Sequence, residues 1–481
     1  MMPLVPPLVR GLATRAALLA GLAAITPVAA LRAEEAEPPA ACDEGTEAAN
    51  GLCVSAGLIV DTIGNTTGGI RAGVAAIAQI RLGAHLDLEK MLGLEGWSAE
   101  ASGFGIYGRQ PTPTLVGSLA PVSSIEALST VRLFELWLER SFGDYGSIRF
   151  GQLAADSEFA TAAAAGNLVS GTFGWPVALA NTLPAGGPAY PLAAPGVRVN
   201  IGDPEAATGL RVAMFSGNPG GKYGVDTDPQ AHNRYGINFS LAGGIFYMGE
   251  FVTGGTAPEG DDAPRPWTLK LGGWYHNGGF DSVNMADDGL PLGDPASSGV
   301  PRRFGNNYGY YAIGEATLWR GEHSNVAVFG RGFAQPQDRN AVSLQVDGGV
   351  TWNGPFDRQN DAFSLGASWA RIGNDSRDYD RELIAFGADQ PVRDYETIVE
   401  LNYRYAVIPD RLSVQPLVQA LFHPAAREPD ERRSATSALP TPSSRPGSRM
   451  PSGKTARPAA ASRRPSSPQG FTTSTAAISR N

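Results

Sequence analysis

Val131–Phe142 reads VRLFELWLERSF. Phe134, Leu136 and Leu138 share one parity, and Glu135, Trp137 and Glu139 share the other. A period of two belongs to a half-buried β-strand, because successive side chains leave opposite faces of a sheet. The same alternation recurs further along the chain. Ile148 and Phe150 alternate with Arg149 and Gly151; Val197, Val199 and Ile201 with Arg198 and Asn200. Leu210, Val212 and Met214 alternate with Arg211 and Ala213; Trp267, Leu269 and Leu271 with Thr268, Lys270 and Gly272. Turn chemistry separates these runs, at Gly64-Asn65, Gly202-Asp203-Pro204, Gly217-Asn218-Pro219, Asn277-Gly278-Gly279 and Asn353-Gly354-Pro355. With no long amphipathic helix pattern between them, antiparallel neighbours are expected and βαβ units are not.

Composition narrows the choice of all-β architecture. Of 481 residues, 42 % are apolar and only 18 % charged, with 60 glycines and a net charge of −9. The apolar share is too high for a disordered chain, and the acidic balance gives no support for nucleic-acid binding. A mean hydropathy of −0.14 excludes a helical membrane bundle but not a membrane barrel, whose lumen-facing half is polar. A soluble sandwich should carry charged outer faces, whereas these strands hold single Arg or Glu residues among small ones. Aromatics gather near strand ends: Trp97, Phe104 and Tyr107; Phe246, Tyr247 and Phe251; Trp267, Trp274 and Tyr275; Tyr308, Tyr310, Tyr311 and Trp319; Tyr403 and Tyr405. Girdles of this kind mark an outer-membrane barrel; the alternative is a β-core with aromatic pairs. Sixteen strands of ~9–11 residues with their turns would fill about 370 residues, and positions 53–424 number 372. Fourteen strands would also fit.

The two ends read differently from the body. Met1–Arg15 carries Arg10 and Arg15 and no acid, Ala16–Ile25 is an apolar run, and Val28-Ala29-Ala30 offers a cleavage site, with Ala33 a second choice. This is the pattern of a secretory signal peptide over residues 1–30, with residues 31–51 an N-terminal extension. Cys42 and Cys53, the two cysteines, could close one small loop in an oxidising compartment or remain as two thiols. Glu431–Asn481 holds one acid against nine bases and seven prolines. No strand can be read in this Arg/Ser/Pro/Ala-rich tail, so residues 425–481 are expected to be disordered, either as an extension or as out-of-frame sequence. The barrel is expected over 52–424 with its last strand missing.

Several segments resemble the carbohydrate-selective porin family (OprB type) of Gram-negative outer membranes. They are Arg132–Arg140, Ser147–Phe159, Trp175-Pro176, Pro184–Pro191, Pro195–Val199, Lys270–Tyr275, Val328–Arg331, Tyr395–Arg404 and Val414-Gln415-Pro416, in that order over about residues 52–424. The resemblance implies a sixteen-stranded antiparallel transmembrane barrel. It implies passive, sugar-selective diffusion into the periplasm. It also implies partners in the outer-membrane bilayer, the outer-membrane assembly machinery and small neutral sugars, with a homo-oligomer left open. The tail departs from it, since such a barrel should close with one more alternating strand ending in an aromatic.

A pore needs a wet lumen, a narrow point and groups that replace a sugar's hydrogen bonds to water. Glu135 and Glu139, with Arg149 and Arg198 on following strands, would set a transverse field and exchange hydrogen bonds with hydroxyls. Trp137 would stack a sugar ring. Glu250, Glu315 and Arg331 are candidates of the same type, and plain solvated lumen residues are the competing reading for each. Asp156–Pro195, containing Glu158, Trp175 and Tyr190, is a long Ala/Gly/Pro-rich stretch without alternation. It is expected to be either a constriction loop or an exposed one. No P-loop, nucleophile elbow or metal-ligand spacing is present in the sequence, so no cofactor or metal is expected. Two other function classes stand beside the porin: a secreted or outer-membrane carbohydrate-active enzyme using Glu135 and Glu139 as its carboxylate pair, and a structural or adhesive barrel.

Overall fold

The computed structural model describes residues 25–35, 51–203, 208–221, 228–255 and 266–427. Among the described residues eighteen strands run in chain order. They are β1 Ile25–Glu35, β2 Leu52–Asn65, β3 Gly73–Asp87, β4 Trp97–Gly108, β5 Thr130–Ser141, β6 Gly146–Leu153, β7 Ala194–Asp203, β8 Thr208–Ser216, β9 Ile245–Gly255, β10 Trp267–His276, β11 Phe280–Ala286, β12 Pro301–Phe304, β13 Asn307–Arg320, β14 Asn325–Ala334, β15 Val342–Asn353, β16 Ala362–Ile372, β17 Tyr395–Ile408 and β18 Leu412–Phe422. Sixteen of them pair antiparallel, each with its neighbours, into a closed barrel. β11 and β12 form a separate hairpin, and the helix Asn374–Ala385 packs near it. By contacts the chain divides into Met1–Asp430 and Glu431–Asn481, and the second unit lies outside the described residues.

Alternation is expressed in the wall as burial. Leu210, Val212 and Met214 are exposed on the outer face, while Arg211, Ala213 and Phe215 between them are buried inside. In lipid every backbone group must be paired within the protein, and a closed ladder achieves that. Of the aromatics read as girdles, Tyr107, Tyr247, Phe251, Trp267, Tyr275, Tyr308, Tyr310, Trp319 and Tyr405 are exposed. Phe246, Trp274 and Tyr311 are corrections. They sit at inward parity beside outward neighbours and are buried.

The parity of Phe134 is also corrected. The β4–β5 register shifts between Ala101, opposite Leu136, and Gly103, opposite Leu133. One extra residue on β5 turns both Phe134 and Glu135 inward, which is what a β-bulge does to a strand. Phe134 then packs against Phe104, at 4.8 Å between ring centroids, and near Tyr190.

The seat expected to be empty is filled. β1 lies between β18 and β2, antiparallel to both, from Ile25 opposite Phe422 to Glu35 opposite Leu412 and from Val28 opposite Asn65 to Glu35 opposite Leu58. Pro27 falls beyond the last β2 partner, at an end where a missing N–H is tolerated. The described barrel therefore begins at Ile25 and not at residue 52. The expected cleavage sites at Ala30 and Ala33 fall inside β1, and a chain cut at Ala30 keeps only the part opposite Leu412–Pro416. Cys53 is disulfide-bonded. Cys42, most of the expected N-terminal extension and most of the expected tail lie outside the described residues.

Short turns such as 142–145, 321–324 and 409–411 close one end of the barrel. Segments 109–129, 154–193, 217–221, 228–244, 277–306 and 373–394 lie at the other, the usual division between the two membrane faces. Segments 109–129 and 154–193 fold inward. Phe159, Leu168, Phe173 and Val177 of the longer one join Phe215, Phe246, Trp274 and Phe329 of the wall in one buried cluster. Inward glycine makes room for this: a Cβ on Gly366 would lie 2.5 Å from Leu168 Cδ1.

Candidate functional site

Register brings the charged residues together. Glu139 on β5 lies opposite Arg149 on β6, and Arg149 lies opposite Arg198 on β7. On the other side, Asn200 on β7 lies opposite Arg211 on β8, and Arg211 opposite Glu250 on β9. All occupy inward parity, so adjacent strands present three guanidinium groups to one patch of the inner wall.

Glu158, from the inward loop, drops its carboxylate into that patch. Arg198 grips it with both arms, Nε to Oε2 at 2.7 Å and Nη2 to Oε1 at 2.7 Å. Arg149 Nη1 donates to Oε1 at 2.7 Å. Arg211 Nε lies 3.5 Å from Oε2, and its Nη1 donates to the Glu158 carbonyl. Glu139 completes the network, 2.6 Å from Arg149 Nη2 and 3.3 Å from Arg198 Nη2. Arg198 also donates to Ser147 Oγ at 2.6 Å. Charge-assisted bidentate contacts of this kind are strong and fix orientation. Burial would push the Glu158 carboxyl up, but Arg149, Arg198 and Arg211 together hold it below its ordinary range. Arg149 keeps 20 % of its side chain exposed, and Glu139 and Glu158 keep 15 % each, against 3 % for Arg198. The first three are the members that keep side-chain surface exposed.

Trp137, read as a sugar-stacking residue, lies in the same cluster. The Arg149 guanidinium carbon lies 3.8 Å from its ring centroid, a cation–π contact that occupies one face of the ring.

Glu135, Glu250, Glu315 and Arg331 hold the loop to the wall, and Trp175 and Asp156 brace it from within. Glu135 accepts from Ala154 N at 3.0 Å, Glu250 from Ala160 N at 3.0 Å and Tyr311 Oη at 2.8 Å, and Glu315 from Ala164 N at 2.8 Å. Arg331 donates to the carbonyls of Ala160, Thr172 and Gly174 and pairs with Asp347 at 2.7 Å. Trp175 Nε1 donates to Gly186 O at 2.9 Å, a brace inside the loop. Asp156 accepts from Tyr190 N at 2.8 Å, and its burial raises its carboxyl to about 6.

Three residues that sequence reading did not single out do the same work. Glu400 accepts from Val169 N at 2.7 Å and Ser170 N at 2.8 Å, and Glu396 accepts from Leu119 N and Ala120 N at 2.8 Å each. Arg211 joins the triad. The alternation of Leu210–Met214 gave Arg211 the same parity signal as Arg198. Glu396 and Glu400 stand in an alternating run of their own, Tyr395–Arg404. Among the described residues no group of three His, Cys, Asp or Glu could hold a metal ion.

Comparison with known proteins agrees with this fold. Porin B of Pseudomonas aeruginosa is 24 % identical over 385 residues, covering 72 % of this chain and 77 % of that protein. The high-pH structure of Pseudomonas putida OprB superposes with a TM-score of 0.63 at 17 % identity, covering 85 % of this chain and 96 % of the other, which supports the fold. The model of the carbohydrate-selective porin, OprB family, matches residues 71–439, so this chain belongs to the OprB family of carbohydrate-selective porins.

Proposed function

We propose that this chain is an outer-membrane channel through which small neutral sugars diffuse passively into the periplasm, with Glu139 and Arg149 of the inner wall and Glu158 of the inward loop as part of its narrow point. Family and fold point to a channel rather than an enzyme. The observation that carries the sugar reading is a loop that enters the barrel and is fixed there by wall carboxylates accepting its N–H groups. A loop held on so many sides narrows the lumen permanently. Beside it stand exposed charged donors and acceptors of both signs, able to replace a sugar's water hydrogen bonds without selecting a charge. The arrangement of Glu139 fits this better than hydrolysis, since its carboxylate is tied to Arg149 and Arg198.

The test is electrical. In a planar bilayer at fixed KCl, millimolar-range neutral hexose or disaccharide should reduce single-channel current in a saturable way. A current that falls only with bulk viscosity would remove the sugar reading and leave a general pore.

A further inference from the structure

Glu158 has the geometry of a bound ligand, not of a lumen wall. Its carboxylate comes from the loop, whereas every cation around it comes from the barrel: Arg149 on β6, Arg198 on β7 and Arg211 on β8. The Arg198 fork meets both carboxylate oxygens at 2.7 Å, as it would meet the carboxylate of a solute. Beside the pair only about 10 Å³ is left, lined by Glu135, Arg149, Glu158, Phe159, Arg198 and Phe215, room for about one water.

We propose that Glu158 is a built-in anion: it fills a three-arginine site that would otherwise take carboxylate-bearing sugars, and so sets the channel's preference for neutral over acidic carbohydrates. This rests on the porin reading. Three arginines converging on one patch would attract uronates and similar anions. With Glu158 seated and Glu139 alongside, the patch presents Arg149 to the lumen already paired on both sides. Anionic solutes then find no unsatisfied fork, while hydroxyl groups still find exposed donors and acceptors.

The experiment compares the full-length chain with E158Q and with the double variant R149Q/E158Q, each reconstituted in planar bilayers across a KCl gradient. E158Q adds one net positive charge within a few ångströms of the lumen. The chloride-to-potassium permeability ratio should rise about threefold, and the double variant, whose charge balance is restored, should return toward the starting ratio. A ratio unchanged in E158Q, or raised equally in both variants, would overturn the proposal, because loop loosening rather than charge would then be at work. A second measurement needs no variant. In liposome swelling, the unaltered chain should pass glucose several-fold faster than glucuronate of nearly the same size. Equal rates overturn the proposal while leaving the porin reading intact. Swelling with neither solute removes the porin reading, and this inference with it.

Discussion

In the proposed channel, Arg149 is the residue on which the lumen surface turns. It is bonded to Glu139 and Glu158 and lies over Trp137. Arg149→Gln should shift ion selectivity toward cations and change sugar flux, while the barrel still folds, because the ladder is backbone-made. The cost of the two carboxylates left short of a donor is about 1–3 kcal/mol each. Reversal potential and sugar-uptake rate check this, and neither moving would place Arg149 away from the narrow point. Asp156 gives a pH prediction. Its carboxyl is raised to about 6, above its ordinary value, so its contribution to stability is full below about pH 4 and is lost as pH rises through 6. Asp156→Asn keeps an acceptor for Tyr190 N and cannot ionise. The variant should be the more stable at pH 8, by on the order of 1 kcal/mol, and should lose that advantage near pH 4. Thermal unfolding in detergent at the two pH values decides it.

At the scale of elements, the claim is that wall side chains hold the inward loop. Glu400 ties down Val169 and Ser170 and also receives Asn402 and Gln419. Glu400→Ala leaves the N–H groups of Val169 and Ser170 without their acceptor, while Asn402 and Gln419 each keep a loop carbonyl, Asn167 O and Val122 O. It should raise single-channel conductance and open 154–193 to protease at a rate well above that of the unaltered chain, with a stability loss of about 2–4 kcal/mol. Unchanged conductance and cleavage would mean that the loop's packing, through Phe159, Phe173 and Leu179, suffices to hold it. The sequence made the strands legible because a two-sided wall writes its period into every residue. Leu210–Met214 needed nothing but parity. The roles of Glu250, Glu315 and Arg331 were not legible, because parity says inward but not what meets a side chain there. A loop 90 residues distant in the chain from Glu250 leaves no mark on its local pattern. Phe134 misled for a related reason: a bulge is set by the partner strand's register, which Val131–Phe142 alone does not contain.

At the scale of the molecule, closure and permeation are the remaining questions. β1 supplies the strand that pairs β18 with β2, and its residues read equally well as the end of a signal peptide, since small and apolar residues serve both uses. Deleting Ile25–Glu35 should lower the heat-resistant, detergent-folded fraction, because unpaired backbone in lipid costs several kcal/mol per group. A deleted chain that folds equally well would show that β1 is not needed for closure. A sugar-passing pore narrowed by its own inward loop should sort neutral sugars by size, and liposome swelling with a graded series measures that sorting. Swelling should be rapid with pentose and hexose, slower with disaccharide and slight with trisaccharide. Absence of swelling with hexose, or trisaccharide entry at the hexose rate, would contradict it.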